Sequence, residues 1–105
     1  DQADVSELRY IDYSYWNELS NNTRKVGIAA KNVMNGKVVF DVSNEKFFSV
    51  AKNVEDGLDF GPIIVVSNSK KEDSEILEGH LRATGYVMAQ QPIKPLRAVI
   101  GTKRQ

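Results

Sequence analysis

Apolar residues recur at a helical spacing in two stretches of the chain. The first stretch follows a polar cluster at residues 20–23 and ends at Gly36, and the second follows Ser43 and Asn44 and ends at Gly57. Serine, asparagine and threonine are frequent helix N-caps, and glycine is common just past a helix end. We therefore predict two amphipathic helices, each with one apolar face. These faces consist of Val26, Ala29, Ala30, Val33 and Met34 in the first helix, and of Phe47, Val50, Ala51 and Val54 in the second.

Strand signals are concentrated in the second half of the chain. The β-branched run at residues 63–66 is typical of a central strand that is buried on both faces of a sheet. Residues 13–19 suit a short aromatic helix. Residues 37–42 are rich in β-branched residues and suit either an edge strand or an extended link. After the strands, apolar residues recur at helical spacing from His80, and this predicted helix stops before Pro92. The expected fold class is α+β, a small mixed sheet with helices packed around it. The expected strands lie near residues 8–11, 62–67, 74–78 and 96–101.

Composition narrows the function classes. The 105 residues suit a single domain, 1–105, although a chain that opens with Asp1 could lack an upstream segment. Fourteen basic residues balance fourteen acidic ones, so DNA is a possible partner that charge does not favour. The absence of cysteine excludes thiol nucleophiles and disulfides and fits a cytoplasmic protein. No apolar run approaches the roughly 20 residues that span a bilayer, so no membrane partner is expected. The sequence does not indicate an oligomeric state.

The segment from Glu78 to Arg82 carries the candidate chemistry, because it joins a predicted strand to a predicted helix. A strand that turns at Gly79 into a helix aims backbone N–H groups and the positive end of the helix dipole at one point, which suits a phosphate. His80 and Arg82 lie in the first helical turn, where cations oppose the dipole unless an anion lies among them. Arg82 can clamp a phosphate through its planar guanidinium, and His80 can donate a hydrogen bond or shuttle a proton. Glu78 is a candidate to orient His80, to bind magnesium or to act as a base.

Each of these features also has an ordinary structural interpretation. A Gly-His-x-Arg string occurs by chance, and a lone histidine is usually a surface or packing residue. The aromatic cluster at residues 10–16 could stack a base, but core packing is the more frequent role of large aromatic residues. This cluster consists of Tyr10, Tyr13, Tyr15 and Trp16.

The run ILEGHLRATGYVMA, preceded by GPIIVV and followed by LRAVIG, resembles the ParB/sulfiredoxin-like superfamily over about residues 58–101. Members of this superfamily carry a strand, a Gly-x-x-Arg turn that binds nucleotide phosphates, and a helix rich in small residues. The resemblance places the phosphate-binding turn on Gly79, His80, Leu81 and Arg82, with Ala83 and Gly85 packing the helix on the sheet. The stretch WNELSNNTRKVGIAAKNVMNG also resembles the region before this turn in bacterial members. It adds Thr23 and Arg24 as secondary phosphate-binding candidates, for which the alternative is a helix cap and a solvated charge.

The resemblance implies a nucleotide-binding domain that hydrolyses or transfers a phosphoryl group. Its expected ligands are a nucleoside di- or triphosphate and Mg²⁺, and the glutamate that assists phosphoryl chemistry in the superfamily would be Glu78. Without cysteine the chain cannot reduce sulfinic acids as sulfiredoxin does. Centromere binding is not supported, because His80 and Leu81 stand in the middle of the turn that reads Gly-Glu-Arg-Arg in the chromosome-partitioning members. The alternatives are a metal-assisted nuclease and a regulatory or protein-binding module without catalysis.

Overall fold

The computed structural model of the protein describes residues 2–58, 61–67, 74–90 and 96–102. These residues form five helices and three strands, which confirms the predicted α+β class. Across the described ranges, no helix is both long and apolar enough to cross a membrane. The helices are α1 (Gln2–Ser6), α2 (Ser14–Leu19), α3 (Val26–Met34), α4 (Glu45–Glu55) and α5 (His80–Met88). The strands are β1 (Ile63–Ser67), β2 (Glu75–Glu78) and β3 (Ala98–Thr102).

The sheet has β1 at its centre, in the order β2-β1-β3. β2 pairs with β1 antiparallel, and β3 pairs with β1 parallel. Ile63 and Val65 of β1 and Ile76 of β2 are buried in the core that the helices complete. Ile64 alternates to the opposite face and is 36% exposed. The prediction of a central strand is therefore confirmed, but the prediction that both of its faces are buried is wrong.

The strand predicted at residues 8–11 does not form. Within the described residues, Arg9 makes isolated single-residue bridges only. The N–H of Arg9 donates to the carbonyl of Ser74 at 3.0 Å, whereas the next N–H, that of Tyr10, donates to the carbonyl of Arg24 at 2.7 Å. The link between α1 and α2 pairs with each neighbouring segment at Arg9 alone, with Lys25 on one side and Glu75 on the other, so neither pairing extends into a ladder.

Helices α3 and α4 confirm the two predicted amphipathic helices, but α3 begins differently from the prediction. The polar cluster at residues 20–23 forms a turn, in which Asn21 and Asn22 have φ of 55° and 63°. The N-cap of α3 is Lys25, and no side-chain hydrogen bond caps this end. Hydrogen bonds within the turn engage the polar side chains that the sequence suggested as caps.

Residues 37–42 form a tight turn, so neither predicted alternative, an edge strand or an extended link, is found. The N–H of Val42 donates to the carbonyl of Val39 at 3.0 Å. Phe40 and Asp41 at the tip have φ of 52° and 57°, a conformation that is rare for bulky residues. Val39 is buried and anchors the turn to the core, which leaves Phe40 in solvent.

Helix α5 packs against α1, α3, α4 and β1. Its residues Ala83, Thr84, Gly85 and Tyr86 are all buried. A Cβ at Gly85 would lie 2.7 Å from the Cβ of Val50 in α4, so the two helices approach more closely than any side chain here would permit. Gly85 therefore packs α5 on α4. The resemblance had implied that it packs the helix on the sheet, and this expectation is wrong.

Candidate functional site

Strand β2 turns into helix α5 at Gly79, as the sequence predicts. Gly79 has φ 98° and ψ 27°, in the left-handed region, and its carbonyl accepts a hydrogen bond from the N–H of Ala83 at 2.9 Å. No described side chain caps this end of α5. The positive end of the helix dipole is therefore not neutralised by a capping group, and this end retains the property that attracts a phosphate.

Gly79 also has a packing role that the sequence did not reveal. A Cβ at this position would lie 2.5 Å from Cγ2 of Ile63 and 3.0 Å from its Cβ. The space that a side chain at this position would need is thus filled by β1. The contact with Ile63 and the positive φ together account for glycine at this position, whether or not a phosphate binds.

The imidazole of His80 lies in an aromatic stack. Its ring centroid is 5.2 Å from that of Trp16 and 5.7 Å from that of Tyr10, and the ring planes are inclined by 19° and 16°. Its Nε2 accepts a hydrogen bond from the N–H of Ile11 at 3.3 Å, so the neutral ring carries its proton on Nδ1. Burial lowers the pKa of His80, and the charge of Glu75 opposes this shift. His80 is therefore a neutral hydrogen-bond acceptor near neutral pH.

Glu78 and Arg82 flank His80 along the chain but do not converge on its ring. Glu78 is exposed, and among the described residues no hydrogen bond joins it to His80, so its predicted orienting role is not observed. Nη1 of Arg82 donates to the carbonyl of Pro62 at 3.3 Å, which places the guanidinium beside the turn that leads into β1. Leu81 is partly buried against the core, so only its backbone is suited to contact a ligand.

Thr23 and Arg24 make contacts within the protein. The hydroxyl of Thr23 donates to the carbonyl of Ser20 at 2.7 Å. Arg24 donates from Nε to the carbonyl of Tyr10 at 3.1 Å and from Nη2 to a carboxylate oxygen of Glu75 at 2.8 Å. Arg24 is thus not a solvated charge, and its bonds hold the segment that carries Tyr10.

A buried hydrogen bond joins Tyr10 to Thr84 and supports the aromatic stack. The hydroxyl of Thr84 donates to the carbonyl of His80 at 2.8 Å, so Tyr10 is the donor to Thr84. Burial raises the pKa of Tyr10, which keeps the phenol protonated. Tyr10 is fully buried, as the packing interpretation expected, whereas Tyr13 is 60% exposed. Sequence reasoning missed Thr84, for which the available signal was a hydroxyl among the small residues of a predicted helix.

The described residues hold no group of three or more histidine, aspartate or glutamate side chains that could bind a metal ion. Of the carboxylates near the stack, Asp12 accepts a hydrogen bond from Asn17 at 2.8 Å and Glu75 is paired with Arg24. A magnesium ion at this end of α5 would therefore depend on Glu78 together with the oxygens of a bound phosphate.

Comparison with protein-family models, curated proteins and solved structures finds no match for this chain.

Proposed function

We propose that the protein is a nucleotide-binding domain of the ParB/sulfiredoxin-like type, with phosphates held at residues 79–82. The observation that carries the proposal is the uncapped start of the nine-residue helix α5 directly after Gly79, with Arg82 in its first turn. Backbone N–H groups and the helix dipole attract an anion at such a position, and an arginine adds a charged, planar donor. A cytoplasmic location, where nucleotides are available, belongs to the same proposal.

Arg82 would exchange partners when a phosphate binds. Its contact with the neutral carbonyl of Pro62 is long, at 3.3 Å, whereas a phosphate offers the guanidinium negatively charged oxygens that can accept two parallel bonds. The bound phosphate would also place an anion in the first turn of α5, where the helix dipole favours negative charge. Thr23 and Arg24 are not part of this proposal, because their polar atoms hold contacts within the protein.

Binding has more support than turnover. His80 uses Nε2 to accept a hydrogen bond from Ile11, so this nitrogen is not available as a base while that contact lasts. Glu78 is exposed beside the turn and is the candidate to bind Mg²⁺ together with nucleotide phosphates. Hydrolysis or transfer of a phosphoryl group by Glu78 and His80 is therefore a secondary proposal, and no further observation favours a metal-assisted nuclease.

The test is thermal unfolding of the wild type with ATP, ADP, CTP and GTP, each with and without Mg²⁺. A nucleotide that binds only the native state raises Tm, by an amount that grows with its concentration. We expect a rise with at least one nucleotide, and we expect Arg82→Ala to abolish it. The matched control is Lys52→Ala, because Lys52 is an exposed cation in the last turn of α4 and should leave the rise unchanged.

The proposal would be contradicted if no nucleotide raised the Tm of the wild type, or if a nucleotide raised the Tm of Arg82→Ala equally. Release of inorganic phosphate from the bound nucleotide separates catalysis from binding alone. Mg²⁺-dependent cleavage of plasmid or single-stranded DNA would instead support the nuclease alternative.

The second candidate function is a protein-binding module without catalysis. It is favoured by the face of the sheet that carries Ile64, where Leu77 and Val99 are more than half exposed. Apolar clusters of this kind often mark interaction sites. Failure of all nucleotides to raise Tm, combined with loss of self-association or partner binding in Val99→Ser, would select this alternative.

A further inference from the structure

Strand β3 lies at one edge of the sheet, and no other described segment pairs with its outer side. The N–H of Ile63 in β1 donates to the carbonyl of Arg97 at 2.9 Å, so the backbone polar groups of Arg97 point towards β1. Because these groups alternate in direction along a strand, those of Val99 and Gly101 also point towards β1. The residues whose N–H and C=O groups point away from the sheet are therefore Ala98, Ile100 and Thr102.

The opposite edge of the sheet, formed by β2, is partly covered. Arg9 bridges to Glu75, and the N–H of Ile76 donates to the carbonyl of Arg9 at 2.8 Å. Among the described residues, β3 has no such cover. Its sequence, AVIGT, contains neither a charged residue nor a proline, which are common means of protecting an edge strand from pairing. The outer edge of β3 is therefore a template for a further strand.

The side chains of β3 are exposed on both faces of the sheet. Val99 is 55% exposed on the outer face, beside its β1 neighbour Ile64. Ile100 is 65% exposed on the helix side, where it lines a cleft of about 680 Å³ between α1 and the sheet. A single strand added beside β3 would pair the free backbone edge and cover apolar surface on both faces.

We propose that the outer edge of β3 pairs with β3 of a second copy of this protein. The two strands run antiparallel about a two-fold axis at Ile100, which joins the two three-stranded sheets into one continuous sheet. In this register Ile100 lies opposite Ile100 of the second copy, and the two residues exchange both of their backbone hydrogen bonds. Ala98 lies opposite Thr102 of the second copy in the same way. This register pairs all three residues of β3 whose backbone groups point outward.

The strand is complementary to itself in this register. On the outer face, Val99 lies opposite Gly101 of the second copy, and a Cβ added at Gly101 would meet no atom within 4 Å, so the Val99 side chain has space. On the cleft side, Ile100 contacts Ile100. No charge lies within β3, and the fourteen basic residues of the chain balance fourteen acidic ones. Neither local nor net charge therefore opposes the association of two copies.

The proposed interface is small, because a strand of five residues forms its centre. Interfaces below about 1,200 Å² are typical of weak and transient association, so we expect a monomer–dimer equilibrium that depends on concentration. The interface is also independent of the proposed nucleotide site, because none of residues 79–82 takes part in it. Either proposal can therefore fail without the other.

The test combines sedimentation equilibrium with NMR hydrogen exchange on the wild-type protein at increasing concentration. Sedimentation reports the dimer fraction, and hydrogen exchange reports the protection of individual amides. The Ile100 amide points outward, so its protection should rise severalfold as the dimer forms. The Val99 amide points towards β1 and should keep its protection over the same range.

Three variants locate the interface. Ile100→Lys places like charges opposite each other at the two-fold axis and removes apolar burial, so it should weaken association by roughly tenfold or more. Ile100→Glu should have the same effect, but an equimolar mixture of these two variants should associate more strongly than either alone, because Ile100 faces itself. The matched control is Leu77→Lys in the opposite edge strand, where Leu77 is 54% exposed, and it should leave association unchanged.

The proposal would be overturned if Ile100→Lys did not weaken the association, or if Leu77→Lys weakened it equally. A mixture of the two Ile100 variants that associates no better than each alone would also contradict it. A wild type that stays monomeric up to millimolar concentration would overturn it as well, and would leave the edge of β3 for an extended segment of a different protein. If Ile100→Lys does not fold, the Ile100 and Val99 amides of the wild type still decide the question.

Discussion

The first turn of α5 and the turns that follow it are stabilised in different ways. Between Ala83 and Tyr86 every residue is buried, and the small side chains allow α4 to approach closely. In the first turn, His80 and Arg82 are only half-buried, and their side chains bond to backbone groups of Ile11 and Pro62. The stability of α5 therefore depends on close packing in its later turns and on individual polar contacts in its first turn.

This difference shows where a ligand can act. A close-packed interface responds strongly to added volume and cannot exchange partners without moving a helix. A single hydrogen bond contributes only about 0.5–1.5 kcal/mol net, or roughly 1.5–3 kcal/mol when one partner is charged, and a better partner can replace it. The candidate phosphate site lies in the part of α5 that depends on such bonds.

The largest expected effect is that of Gly79→Ala, at the boundary between β2 and α5. The new Cβ would enter the space of Ile63, and alanine would have to adopt a φ of 98°, so the free energy of unfolding should fall by about 3 kcal/mol. Urea denaturation measures this change. Gly36→Ala is the matched control, because Gly36 has a φ of 89° but a Cβ added there would meet no atom within 4 Å. It should cost about 1 kcal/mol, and equal losses in the two variants would show that the contact with Ile63 is unimportant.

A smaller loss, of about 2 kcal/mol, is expected for Gly85→Ala in the close-packed part of α5. The backbone there is helical, so the cost arises from the approach of the new Cβ to α4, closest at the Val50 side chain and next at the backbone nitrogen of Ala51, 3.2 Å away. A double-mutant cycle with Val50→Ala checks this origin, because Gly85→Ala should cost less when the Val50 side chain is already truncated. Additive losses would contradict the assigned contact.

The smallest effect on stability is expected for Glu75→Gln, which removes the partially exposed ion pair with Arg24. Such pairs contribute about 0.2–1 kcal/mol. The pKa of His80 should fall further, because the charge of Glu75 raises it in the wild type, and NMR titration of the single histidine measures the shift. Glu7→Gln removes the same charge from an exposed pair with Lys25 and should leave the pKa of His80 in place. Equal shifts in the two variants would mean that long-range charge, and not local contact, sets this pKa.

Local patterns were sufficient to predict most of the elements. The apolar faces of α3 and α4, the run at residues 63–66 and the change from strand to helix at Gly79 all have short-range signatures. The strand predicted at residues 8–11 does not form, because Arg9 makes only a single bridge to Lys25 and a single bridge to Glu75. The choice of partner for each N–H group depends on where distant segments lie, which periodicity does not record.

For the candidate site, the sequence by itself determined the chemistry at the start of α5, because a strand, a left-handed glycine and a helix bearing His80 and Arg82 follow one another in the chain. Only the tertiary structure decided what these side chains touch. The acceptor role of His80 depends on the N–H of Ile11, 69 residues earlier, and the role of Gly79 depends on the side chain of Ile63 in a neighbouring strand. Those contacts arise when the helices and the sheet bury their apolar faces together, and no spacing along the chain encodes the positions that meet.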